Sequence, residues 1–306
     1  MTEAEVAATA WGAQVVRHLN LRENAVYEID GPFGRAALRL HRKGYQSATA
    51  IRSELWWCNA LADHGLPVPR PVPASDRQTL VTLGSGRMAS VVTWVDGAPL
   101  GAAGVLLSGS AKWQADQHRE LGRVTAQMHR VTDGLALPDW FERPDWGHDG
   151  LVGAQPFWGR FWEHPQLSQS DAAVLNAARQ WLSDRLNRTR SPFGLVHADL
   201  LRENIFINNH SLSVIDFDDC GFGYRWYDLG TVLSQCLYEP AYLEIRAALI
   251  DGYSLVLPID PDDVDAFTLA RTLASVGWAA PRLPPESPIH ASHIARAVMF
   301  ARKCMG

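Results

Sequence analysis

The sequence predicts an α+β fold in two lobes: a small, antiparallel β-rich lobe over residues 1–96 and a larger, mainly helical lobe over residues 97–306. Three observations predict it. Short runs of period-two alternation, separated by glycine turns, crowd the first 95 residues. From Gly97 onward apolar residues recur at helical spacing and are punctuated by proline. A single β-hairpin pattern interrupts that helical part near residue 205.

Residues 2–16 read as a helix, with Thr2 as N-cap and Glu3 and Glu5 favouring its positive end. Ala25, Tyr27 and Ile29 alternate with Val26 and Glu28 as in a strand, and Asp30-Gly31-Pro32 forces a turn into a second strand over residues 35–41. There Arg39 shares a face with Ala37 and His41 while Leu38 and Leu40 point the other way, so a charge sits where it needs a partner. Residues 47–63 read as a helix begun by Ser47, with Ile51, Leu55, Cys58 and Ala62 as its apolar stripe and Gly65 and Pro67 ending it. Glu54 flanks the stripe and is one candidate partner for Arg39. Pro67, Pro69, Pro71 and Pro73 favour an extended polyproline connector. Strands over residues 79–83 and 88–95, joined by Gly84-Ser85-Gly86, complete the sheet.

In the helical part, Trp113, Gln117, Leu121, Val124 and Met128 trace one face of a helix, and His129 falls at its C-terminal end, where the macrodipole favours a protonated ring. Residues 171–189, 226–238, 240–255, 261–277 and 288–304 read as further helices, with Gly277 and the prolines 281, 284 and 285 as the last break. An all-helical C-terminal lobe is the expectation.

Composition excludes several classes of function. With 47% apolar and 20% charged residues, this is an ordinary globular composition, neither fibrous nor disordered. Net charge is -5, and no Lys/Arg cluster is dense enough to track a nucleic acid. No apolar run approaches membrane-spanning length, and the acidic start of the chain does not read as a signal peptide. The four cysteines show no ligand spacing and read as free thiols of a cytoplasmic protein.

The chemistry is concentrated in the stretch LVHADLLRENIFINNHSLSVIDFDD, residues 195–219. Residues 205–207 and 213–215 flank an Asn208-Asn209-His210 turn signal, which predicts a hairpin. Pairing 207 with 213 and 205 with 215 would set Asn204 and Asp216 side by side, two hard oxygen ligands for a metal. Just upstream, His197, Asp199 and Asn204 form H-x-D-x-x-x-x-N, the spacing of kinase catalytic loops. In that chemistry an Asp faces the attacking hydroxyl, while an Asn and a second Asp hold magnesium on the nucleotide phosphates.

Residues 197–228 resemble the aminoglycoside phosphotransferase and choline kinase family, small-molecule kinases with a protein-kinase-like fold, and most of all its bacterial branch of stress-response and homoserine-type kinases. More loosely, the resemblance extends over most of the chain. It implies Asp199 as catalytic Asp, His197 as the residue holding the loop, Asp228 as its brace, and Asn204 and Asp216 as magnesium ligands. Arg39 and Glu54 match the strand Lys and helix Glu of that family, with Arg where the family usually has Lys. Ala198 stands where the family often has Gly, and Leu201, Arg202 and Glu203 replace its His-Pro-Gly. Trp94 and Val95 fall at the adenine-contacting hinge, though they read equally as a strand end. Asn24, in the run Arg22-Glu23-Asn24, matches a position near the phosphates or is a turn cap. No G-x-G-x-x-G loop supports the nucleotide assignment. Asp218 and Asp219 are further metal candidates.

The implied activity is transfer of the γ-phosphoryl group of ATP, with Mg²⁺, to a hydroxyl of a small molecule. A Ser/Thr protein kinase of the stress-response type, or a catalytically weak nucleotide-binding module suggested by Arg39, are the alternatives. In the family the segment before the catalytic loop helps to build the acceptor site. Here residues 139–163 mix Trp and Phe with five acids, which favours a cationic, amino-alcohol-like acceptor if the rings are open and a packed core if they are not.

Overall fold

The computed structural model describes residues 1–21, 24–209 and 211–306 and divides into two compact units. One comprises Met1–Ala98, Leu135–Arg143 and Phe206–Asp218, and the other Pro99–Gly134, Pro144–Ile205 and Asp219–Gly306. Where the sequence reading cuts the chain once, after residue 96, two later segments thus join the first unit.

The chain begins with α1 (Glu3–Thr9), β1 (Gln14–Leu21), β2 (Ala25–Gly31), β3 (Gly34–Leu40), α2 (Ala48–Asp63), β4 (Leu80–Thr82) and β5 (Met88–Thr93). Thr2 caps α1 reciprocally: its hydroxyl accepts the N–H of Glu5, whose carboxylate accepts the N–H of Thr2. The helix is shorter than expected. It ends at Thr9, Gly12 turns the backbone at φ 62°, and residues 14–21 form a strand that the sequence reading partly assigned to helix. The cause is tertiary. β1 pairs antiparallel with β2 at a sheet edge, leaving Val16 and Leu19 exposed, so no clean alternation marks it.

The sheet is antiparallel with order β1-β2-β3-β5-β4. Ile29, Leu38, Leu40, Ala89 and Val91 pack with Ala4, Ala7, Ala8 and Trp11. Across the sheet, Ile51 and Leu55 of α2 pack with Leu80 and the half-buried Met88 and Val92. Because side chains alternate, the pairings Arg39↔Ser90 and Ala37↔Val92 put Arg39 on the α2 side.

Next come β6 (Ala98–Pro99), α3 (Ala111–Asp133), β7 (Asp145–Trp146), α4 (His148–Val152), α5 (Gln169–Leu186), β8 (Phe193–Val196), β9 (Ile205–Asn208), β10 (Ser211–Val214) and β11 (Gly221–Tyr224). The chain closes with α6 (Tyr227–Ser234), α7 (Tyr242–Ser254), α8 (Pro261–Arg282) and α9 (Pro288–Met305). The second unit is not all-helical. It contains a sheet of order β7-β11-β8, built from strands of two and four residues that are too short to give a periodic signal. The predicted hairpin exists as β9 and β10, but β10 ends at Val214, so Ile215, the expected partner of Ile205, lies past the strand. Asn209 takes a left-handed φ of 54° in the turn, and His210 lies outside the described residues.

α8 continues five residues beyond the expected break at Gly277, carrying Pro281 in its last turn. Gly277 marks a close approach instead of a helix end, since a Cβ there would stand 2.5 Å from the carbonyl oxygen of Gly159. Gly230 of α6 likewise lets the backbone of α8 come close, because a Cβ would fall on Phe267. That contact sets α8 beside the helix that carries Asp228. No described helix is long and apolar enough to cross a membrane, and all four cysteines are free thiols.

Candidate active site

His197, Asp199 and Asn204 lie on the loop that joins β8 to β9. Ala198, buried within it, is held at φ 65°, a left-handed conformation that costs an L-residue about 1–2 kcal/mol and that glycine adopts freely. Asp228 holds the loop in that shape. Its two carboxylate oxygens accept the N–H of His197 at 2.9 Å and of Ala198 at 2.7 Å. The brace is itself braced, since His129 of α3 donates its Nε2–H to Asp228 at 2.9 Å and accepts the Tyr253 hydroxyl on Nδ1 at 3.0 Å.

Burial pushes the Asp228 carboxyl up, but the hydrogen bond from His129 and the charge and N–H of His197 outweigh it, leaving the carboxyl below its usual range. Burial drives His129 down despite Asp228. The ring is fully buried, and that burial works against the protonated form which the helix dipole would favour. His118, one face of α3 earlier, behaves alike: burial lowers it to about 4, and it lies 2.6 Å from the Gln114 carbonyl and 3.7 Å from the Cys236 sulfur. Histidines depressed on folding bind fewer protons in the native than in the unfolded chain over this window, so their stabilisation is present above about 6.5 and lost as pH falls toward 4. Asp228 acts in the same direction. We predict that urea midpoints fall steadily from pH 7 to pH 4, with His118 alone accounting for about 3 kcal/mol, and that His118→Gln flattens the slope.

Asp199 is gripped from two sides. Arg271 of α8 donates Nη2–H to Oδ1 at 2.9 Å, and Asn204 donates Nδ2–H to Oδ2 at 2.9 Å and to the Asp199 carbonyl at 2.9 Å. Arg271 is in turn fixed by Ser275 at 2.7 Å and lies over the Trp158 ring, 4.6 Å from its centroid. The carboxylate is thus paired with a guanidinium and fixed in direction, as a general base is positioned. With Nδ2 of Asn204 tied back, its Oδ1 remains a hard oxygen donor facing away from Asp199.

In the first unit, Arg39 donates to Glu54 at 2.8 Å and to Asp216 at 2.8 Å. The Arg39–Glu54 pair is buried, not a surface pair; burial raises the Glu54 carboxyl against the pull of Arg39. Asp216 sits at φ 66°, one oxygen on Arg39 and the other available to a cation, and the next residue, Phe217, packs edge-on against Trp57 of α2 at 5.3 Å. Asn24 uses both ends of its amide, accepting the N–H of Arg42 at 2.9 Å and donating to Asp218 at 3.0 Å. Arg22 and Glu23 of the same run lie outside the described residues. Asp218 is buried, and its carbonyl accepts Arg143 and Gln46. Trp94 and Val95 follow the end of β5 half-buried, with the Arg35 guanidinium 3.7 Å from the Trp94 ring centroid. Asn204 Oδ1 and the Asp216 carboxylate are the oxygen chemistry that a magnesium ion takes.

Most rings of residues 139–163 are not open, although Trp140 and Phe157 are exposed. Trp146, Trp158 and Phe161 are buried, and the protein's own guanidinium groups cover Trp158, through Arg271, and Trp162, through Arg179 at 3.8 Å. Arg271 and His129 are the site residues that sequence reasoning did not assign. Each reaches its Asp from a distant helix, and the one local sign was the presence of a polar residue on an apolar helical face.

The chain is similar to known kinases in sequence and in fold. A homoserine kinase of Sinorhizobium fredii (strain NBRC 101917 / NGR234) is 32% identical over 270 residues, covering 85% of this chain and 76% of that one. Amicoumacin kinase of Bacillus subtilis (strain 168) is 27% identical over 240 residues, 78% of this chain and 68% of its own. The solved structure of a microcompartment-associated aminopropanol kinase superposes with a TM-score of 0.82 at 28% identity, over 98% of this chain and 94% of that one. Residues 15–267 match the family model described as APH, phosphotransferase enzyme family, and the chain belongs to that family of kinases, which phosphorylate a small-molecule hydroxyl with ATP.

Proposed function

We propose that this protein transfers the γ-phosphoryl group of ATP, with magnesium, to the hydroxyl of a small amino alcohol, with Asp199 as the residue that orients the hydroxyl and takes its proton. The observation that carries the reading is the grip on Asp199 by Arg271 and Asn204, on a loop whose backbone Asp228 holds. Asn204 and Asp216 are the proposed magnesium ligands, and Arg39, Asn24, Trp94 and Val95 the nucleotide contacts, with Glu54 holding Arg39. ATP and its metal supply the electrophilic phosphoryl group and neutralise its charge. A guanidinium at position 39 keeps the positive charge of the usual Lys, and its remaining N–H groups are free in direction for phosphate oxygens. The amine in the acceptor class rests on the substrates named for the homoserine and aminopropanol kinase relatives. The buried cysteines suit a reducing cytoplasm.

A panel of amino alcohols and neutral polyols, assayed for ADP release, tests the acceptor class. Phosphorylation of the amino alcohols supports it, and phosphorylation of neutral compounds alone contradicts it. For the metal role, we predict that Asp216→Ala weakens ATP binding with magnesium by at least about tenfold and ATP binding without magnesium much less. Titration calorimetry in the two conditions decides this, and equal losses would remove Asp216 from the metal site.

A further inference from the structure

Arg202 and Glu203 stand between Asp199 and Asn204 on the β8–β9 loop, where the family often has Pro and Gly. Proline has no N–H and glycine no side chain, so neither could make the contacts found here. The Arg202 N–H donates at 2.8 Å to Oε1 of Gln235, the residue that closes α6. Its guanidinium donates to the Gln235 carbonyl at 2.7 Å, to Glu239 at 2.9 Å and to the Val105 carbonyl at 2.7 Å. Glu203 accepts the Nε2–H of the same Gln235 on one oxygen and the N–H of Ala103 on the other, both at 3.0 Å. The Arg202–Glu239 pair is buried, and Glu239 also accepts the N–H of Leu107. On the far side of Asn204, the Ile205 carbonyl accepts the N–H of Leu100 at 2.7 Å.

Asn204 is therefore flanked on both sides by backbone that is tied to other segments. Its own Nδ2 is tied back to Asp199, so the direction of its Oδ1 follows from where the backbone is held. We propose that Arg202 and Gln235 are positioning residues that aim the Asn204 Oδ1 at the metal, through a clamp that this chain builds in place of Pro-Gly. The inference rests on the reading of Asn204 as a magnesium ligand and names what holds it in direction. Groups behind a ligand set its geometry and thereby its affinity, without touching the metal themselves. A clamp serving stability alone would lower the unfolding temperature and leave the magnesium dependence as it is.

Calorimetry of ATP binding with and without magnesium, run beside thermal unfolding, tests this on two variants. Gln235→Leu removes both side-chain bonds to the loop without uncovering a buried charge. Arg202→Met combined with Glu239→Gln removes both charges of the buried pair together and keeps an acceptor for the Leu107 N–H. Each is expected to weaken ATP binding with magnesium by about tenfold and ATP binding without magnesium by less than about twofold. Equal losses in the two titrations, or an unchanged magnesium dependence in either folded variant, would overturn the proposal. Should the double variant not fold, Gln235→Leu decides alone. Asn204→Ala separates the two readings. If it leaves the magnesium dependence unchanged, Asn204 is not a ligand and the proposal falls with that assignment. If it shifts the dependence while the clamp variants do not, the ligand stands and the clamp is overturned.

Discussion

Asp199→Asn is expected to lower kcat by about 10²- to 10⁴-fold while ATP affinity stays within a few-fold of the wild type. The amide keeps the size of the carboxylate but cannot accept the proton of the acceptor hydroxyl. It also disturbs the grip on that side chain, because Arg271 and Asn204 both donate to it and an amide has only one accepting oxygen. Asn204, the proposed magnesium ligand that touches Asp199, keeps its second bond to the Asp199 carbonyl. Steady-state kinetics paired with ATP calorimetry separates the two effects. Wild-type turnover in the variant would remove Asp199 from the chemistry.

Asp228→Ala is expected to be the most destabilising single change in the helical unit, by about 3–5 kcal/mol. Three donors converge on this carboxylate: the N–H groups of His197 and Ala198 and the Nε2–H of His129. All sit where water does not reach, with Asp228, His129 and His197 fully buried. Truncation strands the donors together, and the left-handed turn at Ala198 loses what holds it. Urea denaturation of the variant measures the loss, which should be accompanied by a fall in turnover. A change below about 1 kcal/mol would mean that the loop is held by other contacts.

Much of the β-rich unit was legible because its signals are local. Ser47, Gly65 and Pro67 bound α2, and the alternation in β3 put Arg39 on the side from which Glu54 reaches it. β1 escaped because an edge strand exposed on both faces carries no buried period, and α8 was cut short because a glycine needed for close packing looks the same as a glycine that ends a helix. In the site, the spacing of His197, Asp199 and Asn204 and the position of Asp228 were readable through a known pattern. Their partners were not. Arg271 stands 72 residues from Asp199 and His129 stands 99 from Asp228, and only the packing of α3, α6 and α8 brings them into contact. The aromatic stretch left two readings open for a related reason: the number of rings was visible, but not that Arg271 and Arg179 already cover two of them.

Phosphorus NMR of the protein incubated with ATP, magnesium and homoserine tests the account most directly. A phosphomonoester resonance that grows in step with ADP, and that fails to grow with Asp199→Asn, is the predicted result. ADP appearing with inorganic phosphate and no ester, or an ester formed equally well by the Asp199→Asn variant, would contradict it.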